Sequence, residues 1–236
     1  MARLPRLVVE GQLHHVLQRS RDRRVVWHHT EDFLAALRAL RQAAARHAVA
    51  LHAYALLPDH LHLVVTPANA AVFSRFLRAV LAPVTRRHHA QQGRAEALWE
   101  GRSRTVVADE AQHGLELLRY VELNPVRAGL VTDPTEYPWT SLRHHVGLAT
   151  EPGLTDPPGY WALGNTPFER QRAYLAWLEA PQDAEALLRL RGAVQRGWPL
   201  GSPAFIEALQ AKAGRALRPK KPGRPKKSGI VDLSPN

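Results

Sequence analysis

"LLPDHLHLVVTP", residues 56–67, decides how the chain is read. Pro58-Asp59 is a turn-forming pair, and the runs on either side, 49–57 and 60–66, are apolar and strand-like. Two strands joined by a tight turn are therefore expected here. Side chains two apart on a strand share a face, so His60 and His62 point the same way, whereas Asp59 should face away. Two imidazoles on one face offer two nitrogens to one divalent ion, but a third ligand is needed to hold it. A pair of surface or hydrogen-bonded core histidines satisfies the same pattern. The chain has 13 histidines, so a single His-x-His has little weight alone. His14-His15, His28-His29, His88-His89 and His144-His145 are adjacent pairs, which in a strand diverge to opposite faces and chelate poorly.

Working outward, residues 14–29 suggest two short extended pieces around a polar Arg-Asp-Arg-Arg turn. Residues 30–48 carry Phe33, Leu34, Leu37 and Leu40 at helical spacing, with Thr30 as N-cap and Glu31 and Asp32 in the first turn. Residues 70–91 form a second helical pattern, in which Pro83 should kink or restart the helix. Residues 98–109 suggest a strand or hairpin, and 110–131 a third helix disturbed at Pro125 and capped near Gly129. The order strand, helix, strand, strand, helix, strand, helix suits an α+β layer: an antiparallel sheet with helices on one face. Beyond about residue 132, proline, glycine and threonine favour loops, with further helices at 166–180 and 201–217.

Bulk composition narrows the chemistry. With no cysteine in 236 residues, disulfides, thiolate metal sites and thiol catalysis are excluded. A formal charge of +11 favours anionic partners, nucleic acid first among them, although an arginine-rich coding bias raises the charge too. No apolar run is long enough for a membrane span, and "MARLPRLVVEG" lacks the apolar core of a signal peptide, so a cytoplasmic, nucleoid-associated protein is expected.

The third helix carries the other informative stretch, "LLRYVELNPVRAGLV". Tyr120 and Asn124, four apart, share a helical face. If that face meets His60 and His62, the Asn124 carbonyl oxygen completes a His/His/Asn set and the Tyr120 hydroxyl stands one turn away. A phenol of pKa about 10 is a weak nucleophile until a metal or base assists it. A core tyrosine and a helix stop before Pro125 account for the same two residues without any chemistry.

"LLPDHLHLVVTP", "LWEGRSRT" and "RYVELNPVRAGLV", in this order, resemble the Y1 HUH transposase family, and within it the REP-associated tyrosine transposases related to the IS200/IS605 group. The resemblance spans roughly residues 5–145. It implies a ferredoxin-like HUH catalytic core, with His60 and His62 as metal ligands, Asn124 as the third, and Tyr120 as the catalytic tyrosine. It further implies a Mg²⁺ or Mn²⁺ cofactor and single-stranded or hairpin DNA as substrate, cleaved to a 5′-phosphotyrosine and a free 3′-OH. Asp59 departs from the pattern, since relatives usually carry asparagine there. Monomer and homodimer are both open, and no membrane partner is implied.

The domain reading places a catalytic domain at 1–145, a loop and helical extension at 146–217, and a basic tail at 218–236. Arg102, Arg104, Arg119 and Arg127 flank the candidate elements and are candidate DNA contacts. Trp99 offers a ring to an unpaired base, or simply packs in the core. Lys220, Lys221, Arg224, Lys226 and Lys227 in the tail add phosphate affinity, and "PGRPKK" also resembles a minor-groove AT-hook core. Two rival readings stand beside the transposase. One is a DNA-binding or regulatory protein that keeps the fold without using the nuclease. The other is a two-histidine phosphoesterase, for which only His28-His29-Thr30 offers a formal match.

Overall fold

The structure, a computed structural model, describes residues 6–93, 96–213 and 217. Strands β1 (Leu13–Arg19), β2 (Ala50–Leu57), β3 (His60–Thr66) and β4 (Arg104–Ala108) form one antiparallel sheet in the order β2-β3-β1-β4. Helix α1 (Thr30–Arg46) connects β1 to β2, α2 (Ala70–Gln92) connects β3 to β4, and α3 (Glu110–Glu122) follows β4. This is the ferredoxin-like arrangement expected of the layer.

The hairpin of β2 and β3 turns at Pro58-Asp59, with Leu57 opposite His60. Strand alternation then sorts β3. Leu61, Leu63 and Val65 enter a core with Leu37 and Leu40 of α1 and Phe73, Phe76 and Val80 of α2. Val64 enters a second core with Leu117, Leu118 and Val121 of α3. His60 and His62, in phase with Val64, belong to the α3 face. Each fully buried leucine contributes about 1.5–3 kcal/mol, so a one-residue slip, which exchanges the two faces, is strongly disfavoured.

Helices α1 and α2 cover one face, as the layer reading anticipates. The other face is also covered, by α3 and by the chain that follows residue 140. There α5 (Leu142–His145), α6 (Pro158–Trp161), α7 (Pro167–Glu179) and α8 (Ala184–Arg196) bury Leu142, Tyr160, Tyr174, Leu178, Leu190 and Val194 with α3. The chain after residue 139 also covers both sheet edges. Leu200 bridges Ala108 in parallel, and Leu154 and Thr140 bridge Leu51 and Ala55. Unpaired strand edges invite association, and these contacts remove them. Last comes α9 (Pro203–Ala213), whose Leu209 packs with Val107.

Several local expectations shift. Residues 24–29 form no strand; after β1 the chain makes a short 3₁₀ turn at Arg21–Arg23. His29, not Thr30, caps α1, because the Asp32 carboxylate reaches back to the His28 and His29 amides at 2.9 and 3.0 Å. Pro83 lies inside one continuous α2 and does not restart it. No described helix is long and apolar enough to cross a membrane.

Candidate active site

The α3 face of the sheet carries four rings in one cluster: His15 from β1, His60 and His62 from β3, and Tyr120 from α3. Ring centroids lie 5.1 Å apart for His60–His62, 5.1 Å for His15–His62, 5.9 Å for His62–Tyr120 and 5.8 Å for His15–Tyr120. The encounter on which the sequence reading depends, between the histidine pair and the helix carrying Tyr120, is present. Asn124 begins α4 (Asn124–Arg127), one turn beyond Tyr120. Its amide nitrogen donates to the Tyr120 and Val121 carbonyls at 2.9 and 3.3 Å. The amide is thus anchored through its nitrogen, and its carbonyl oxygen is the atom left to act as a ligand.

Two further contacts prepare the imidazoles. Asp59 does not face away, because it sits in the turn ahead of the strand rather than in the pleat. Its Oδ1 accepts from His60 Nδ1 at 2.5 Å. That bond puts the ring proton on Nδ1 and leaves the Nε2 lone pair of His60 to bind. His62 Nδ1 lies 2.8 Å from His15 Nε2. When His62 donates in this contact, its Nε2 lone pair is likewise available. His15 Nδ1 is then buried without a partner. Burial drives the His15 pKa down to about 3 and lowers that of His62 well below the usual range, with His15, His60, Arg127 and Arg19 adding to the latter shift. Neutral imidazole is the metal-binding form. The two free imidazole nitrogens are the donor type a divalent ion takes, and the Asn124 oxygen, one turn beyond Tyr120, would make the set N,N,O, more congenial to Mn²⁺ than to Mg²⁺.

Tyr120 is 8% exposed. Burial raises its pKa, while Arg127, Arg191 and Arg19 pull it back down. The Arg127 guanidinium lies 4.6 Å over the ring, and its Nη2 donates to the Tyr120 carbonyl. Burial lowers the Arg127 pKa to about 10, with Tyr120 opposing that shift.

The candidate DNA contacts separate. Arg102 is exposed, and Arg104 is half-buried near Glu100 at 3.8 Å. Arg119 is not a surface cation. It is buried, donates to the Leu178 and Ala180 carbonyls, and lies 4.8 Å from the Trp177 ring centroid, so its donors hold the α7–α8 connection against α3. Arg127 faces Tyr120 rather than solvent. Trp99 is half-buried and donates to Thr85 Oγ1 at 2.8 Å. Lys220, Lys221, Arg224, Lys226 and Lys227 lie outside the described residues.

Three features escape sequence reasoning. His15 belongs to one of the adjacent pairs that alternation sets aside. It enters the cluster because β1 pairs with β3 in a register that sets His15 opposite Val64 and Leu17 opposite His62. Arg191 arrives on α8, whose Leu187, Leu190 and Val194 do show helical spacing. The third feature is a groove of about 620 Å³ between α1 and α2, on the face away from the histidines. It is lined by Arg38, Arg46, Arg75, Arg78 and Arg86 over alanines, and by no carboxylate.

No family model matches the sequence, and no curated protein matches it. Among solved structures, the chain is similar to a REP-associated tyrosine transposase bound to a REP hairpin, at 19% identity and a TM-score of 0.53, over 64% of this chain and 89% of that one. A second similarity, at a TM-score of 0.35, is to a protein of Deinococcus radiodurans R1 described as a candidate transposase, at 20% identity over 51% of this chain and 96% of that one. The first likeness establishes a shared fold with a member of the group that the motifs resemble.

Proposed function

We propose that the protein is a metal-assisted tyrosine endonuclease and strand transferase of transposase type, acting on single-stranded DNA beside a hairpin. The observation that carries the reading is the convergence of His60, His62 and Tyr120 on one face, with Asp59 and His15 on the outer nitrogens of the two imidazoles. His60, His62 and Asn124 would hold a divalent ion, which would supply Lewis-acid polarisation of the scissile phosphate.

The remaining work falls to the chain. Tyr120 Oη gives up its proton to solvent and attacks phosphorus in line. An O–P bond to tyrosine forms, the P–O3′ bond breaks, and the departing 3′ oxygen takes a proton. The DNA keeps a free 3′-OH, and its 5′ end is held as a phosphotyrosine. Attack on that linkage by a 3′-OH reverses the step and joins strands, because phosphodiester energy is retained in the tyrosyl bond. Arg127, Arg191 and Arg19 favour the phenolate against the burial that disfavours it. The arginine groove between α1 and α2 supports a polyanionic partner and gives DNA a surface that does not compete with the reacting strand.

The test is incubation with a labelled hairpin-bearing oligonucleotide and Mn²⁺, followed by denaturing electrophoresis. The proposal expects a protein–DNA adduct that survives denaturation, depends on the metal, and is absent for Tyr120→Phe. Binding of the oligonucleotide with no adduct would instead indicate a regulator that retains the fold.

A further inference from the structure

A second histidine cluster lies where α5 meets the extension, apart from the four-ring site. His144 and His145 end α5, and Asp156 lies in the loop before α6. The three offer ligand atoms within 4.8 Å of one another. His144 Nε2 is 3.4 Å and His145 Nε2 is 3.7 Å from Asp156 Oδ1. A tetrahedral ion with bonds of about 2.0–2.2 Å spaces its ligands by roughly 3.3–3.6 Å, close to both histidine–carboxylate separations, and the two imidazoles close the rest by ring rotation.

Hydrogen bonding around His145 points to a cation. The ring is fully buried, and its Nδ1 donates to Glu122 Oε1 at 2.6 Å. Glu122, also fully buried, is held by Ser141 Oγ at 2.5 Å and by the Tyr174 hydroxyl at 2.7 Å. With the proton on Nδ1, the Nε2 lone pair faces the Asp156 carboxylate. His145 Nε2 and Asp156 Oδ1 are both buried with no hydrogen-bond partner. The nearest donor to Asp156, His144 Nε2–H at 3.4 Å, is longer than a normal hydrogen bond, so a buried lone pair and a buried carboxylate oxygen face each other with no close positive centre between them. Arg170 adds only a longer-range charge to Asp156: its guanidinium donates to the Gly164 carbonyl and lies 4.0 Å over the Trp161 ring.

We propose that His144, His145 and Asp156 bind a structural zinc ion. Two imidazoles and one carboxylate are a borderline donor set that suits Zn²⁺ better than Mg²⁺. Glu122 on the outer nitrogen of His145 is the carboxylate–histidine–metal arrangement that fixes a ligand's tautomer. His144 Nδ1 accepts from the Glu151 amide at 3.2 Å; ligation through Nε2 moves the ring proton to Nδ1, so this contact opens on binding. The consequence reaches the active site. Glu122 lies two residues after Tyr120, so the ion ties the extension to the helix that carries the nucleophile.

The experiment uses full-length His62→Ala, which disables the other imidazole pair, stripped with EDTA and titrated calorimetrically with ZnCl₂. One saturable Zn²⁺ site per chain is expected, with a higher melting temperature in the zinc-loaded protein. Adding Asp156→Asn or His144→Ala, both at half-buried positions and checked for folding by circular dichroism, should weaken binding by at least about tenfold. No saturable site in His62→Ala, or unchanged affinity in both second variants, would overturn the proposal. Neither outcome bears on adduct formation at Tyr120.

Discussion

The two faces of one short sheet do different work, and strand β3 shows the division residue by residue. Leu61, Leu63 and Val65 meet α1 and α2 in a dry apolar core, where side-chain volume and shape decide. His60 and His62, one residue out of phase, meet α3 in a polar cluster where tautomers and lone pairs decide. The apolar face holds the sheet in place, and the histidine face depends on that placement to within a hydrogen bond. A substitution on either face should therefore leave its mark in a different measurement.

The largest expected effect lies on the histidine face. Tyr120→Phe should lower cleavage of a hairpin oligonucleotide by on the order of 10⁴-fold or more, while hairpin affinity and melting temperature change little. A parallel loss of binding would break the division of labour. On the opposite face, Leu63→Ala should destabilise the fold by about 2–5 kcal/mol in urea melts, because α1 and α2 cannot collapse fully onto the gap. Cleavage per folded molecule at low temperature should be nearly unchanged.

A smaller effect concerns the edge of the apolar face. Burial disfavours the Asp32 carboxylate, but Arg87, Gln91 and the His29 and His28 amides outweigh it and hold its pKa below 3.8. A depressed carboxylate contributes stability that is complete above its unfolded pKa and is lost as pH falls through its folded pKa. Asp32→Asn should therefore lose about 1–3 kcal/mol at neutral pH and show a flatter stability profile below pH 4 than wild type. Equal acid sensitivity in both proteins would remove Asp32 from the account. The smallest effect is assigned to His15, which acts only through His62. His15→Ala should weaken Mn²⁺ binding by about 10–100-fold without abolishing adduct formation at saturating metal. A loss of activity that excess metal cannot rescue would give His15 a direct part instead.

Much of this division is legible in the sequence. The Pro58-Asp59 turn, the alternation along 60–66 and the spacing of Tyr120 and Asn124 are local patterns, and local patterns survive folding. What escapes depends on long-range placement. His15 joins His62 across 47 residues by strand register, which no local period encodes. Strand alternation misplaces Asp59, because the pleat begins only at His60. The positions of Arg119 and Arg127, flanking α3 in sequence, do not reveal that the chain after α3 folds over it, which buries Arg119 and sets Arg127 over the Tyr120 ring.

The central claim is that Tyr120 attacks a phosphodiester beside His60 and His62. Its most direct test is mass spectrometry of the proteolysed adduct trapped on a hairpin oligonucleotide with Mn²⁺. The account predicts a Tyr120 peptide carrying the 5′-phosphate of the downstream DNA, with the upstream fragment released as a free 3′-OH. Attachment at another residue, a 3′-phosphate product, or cleavage with no covalent species would contradict it.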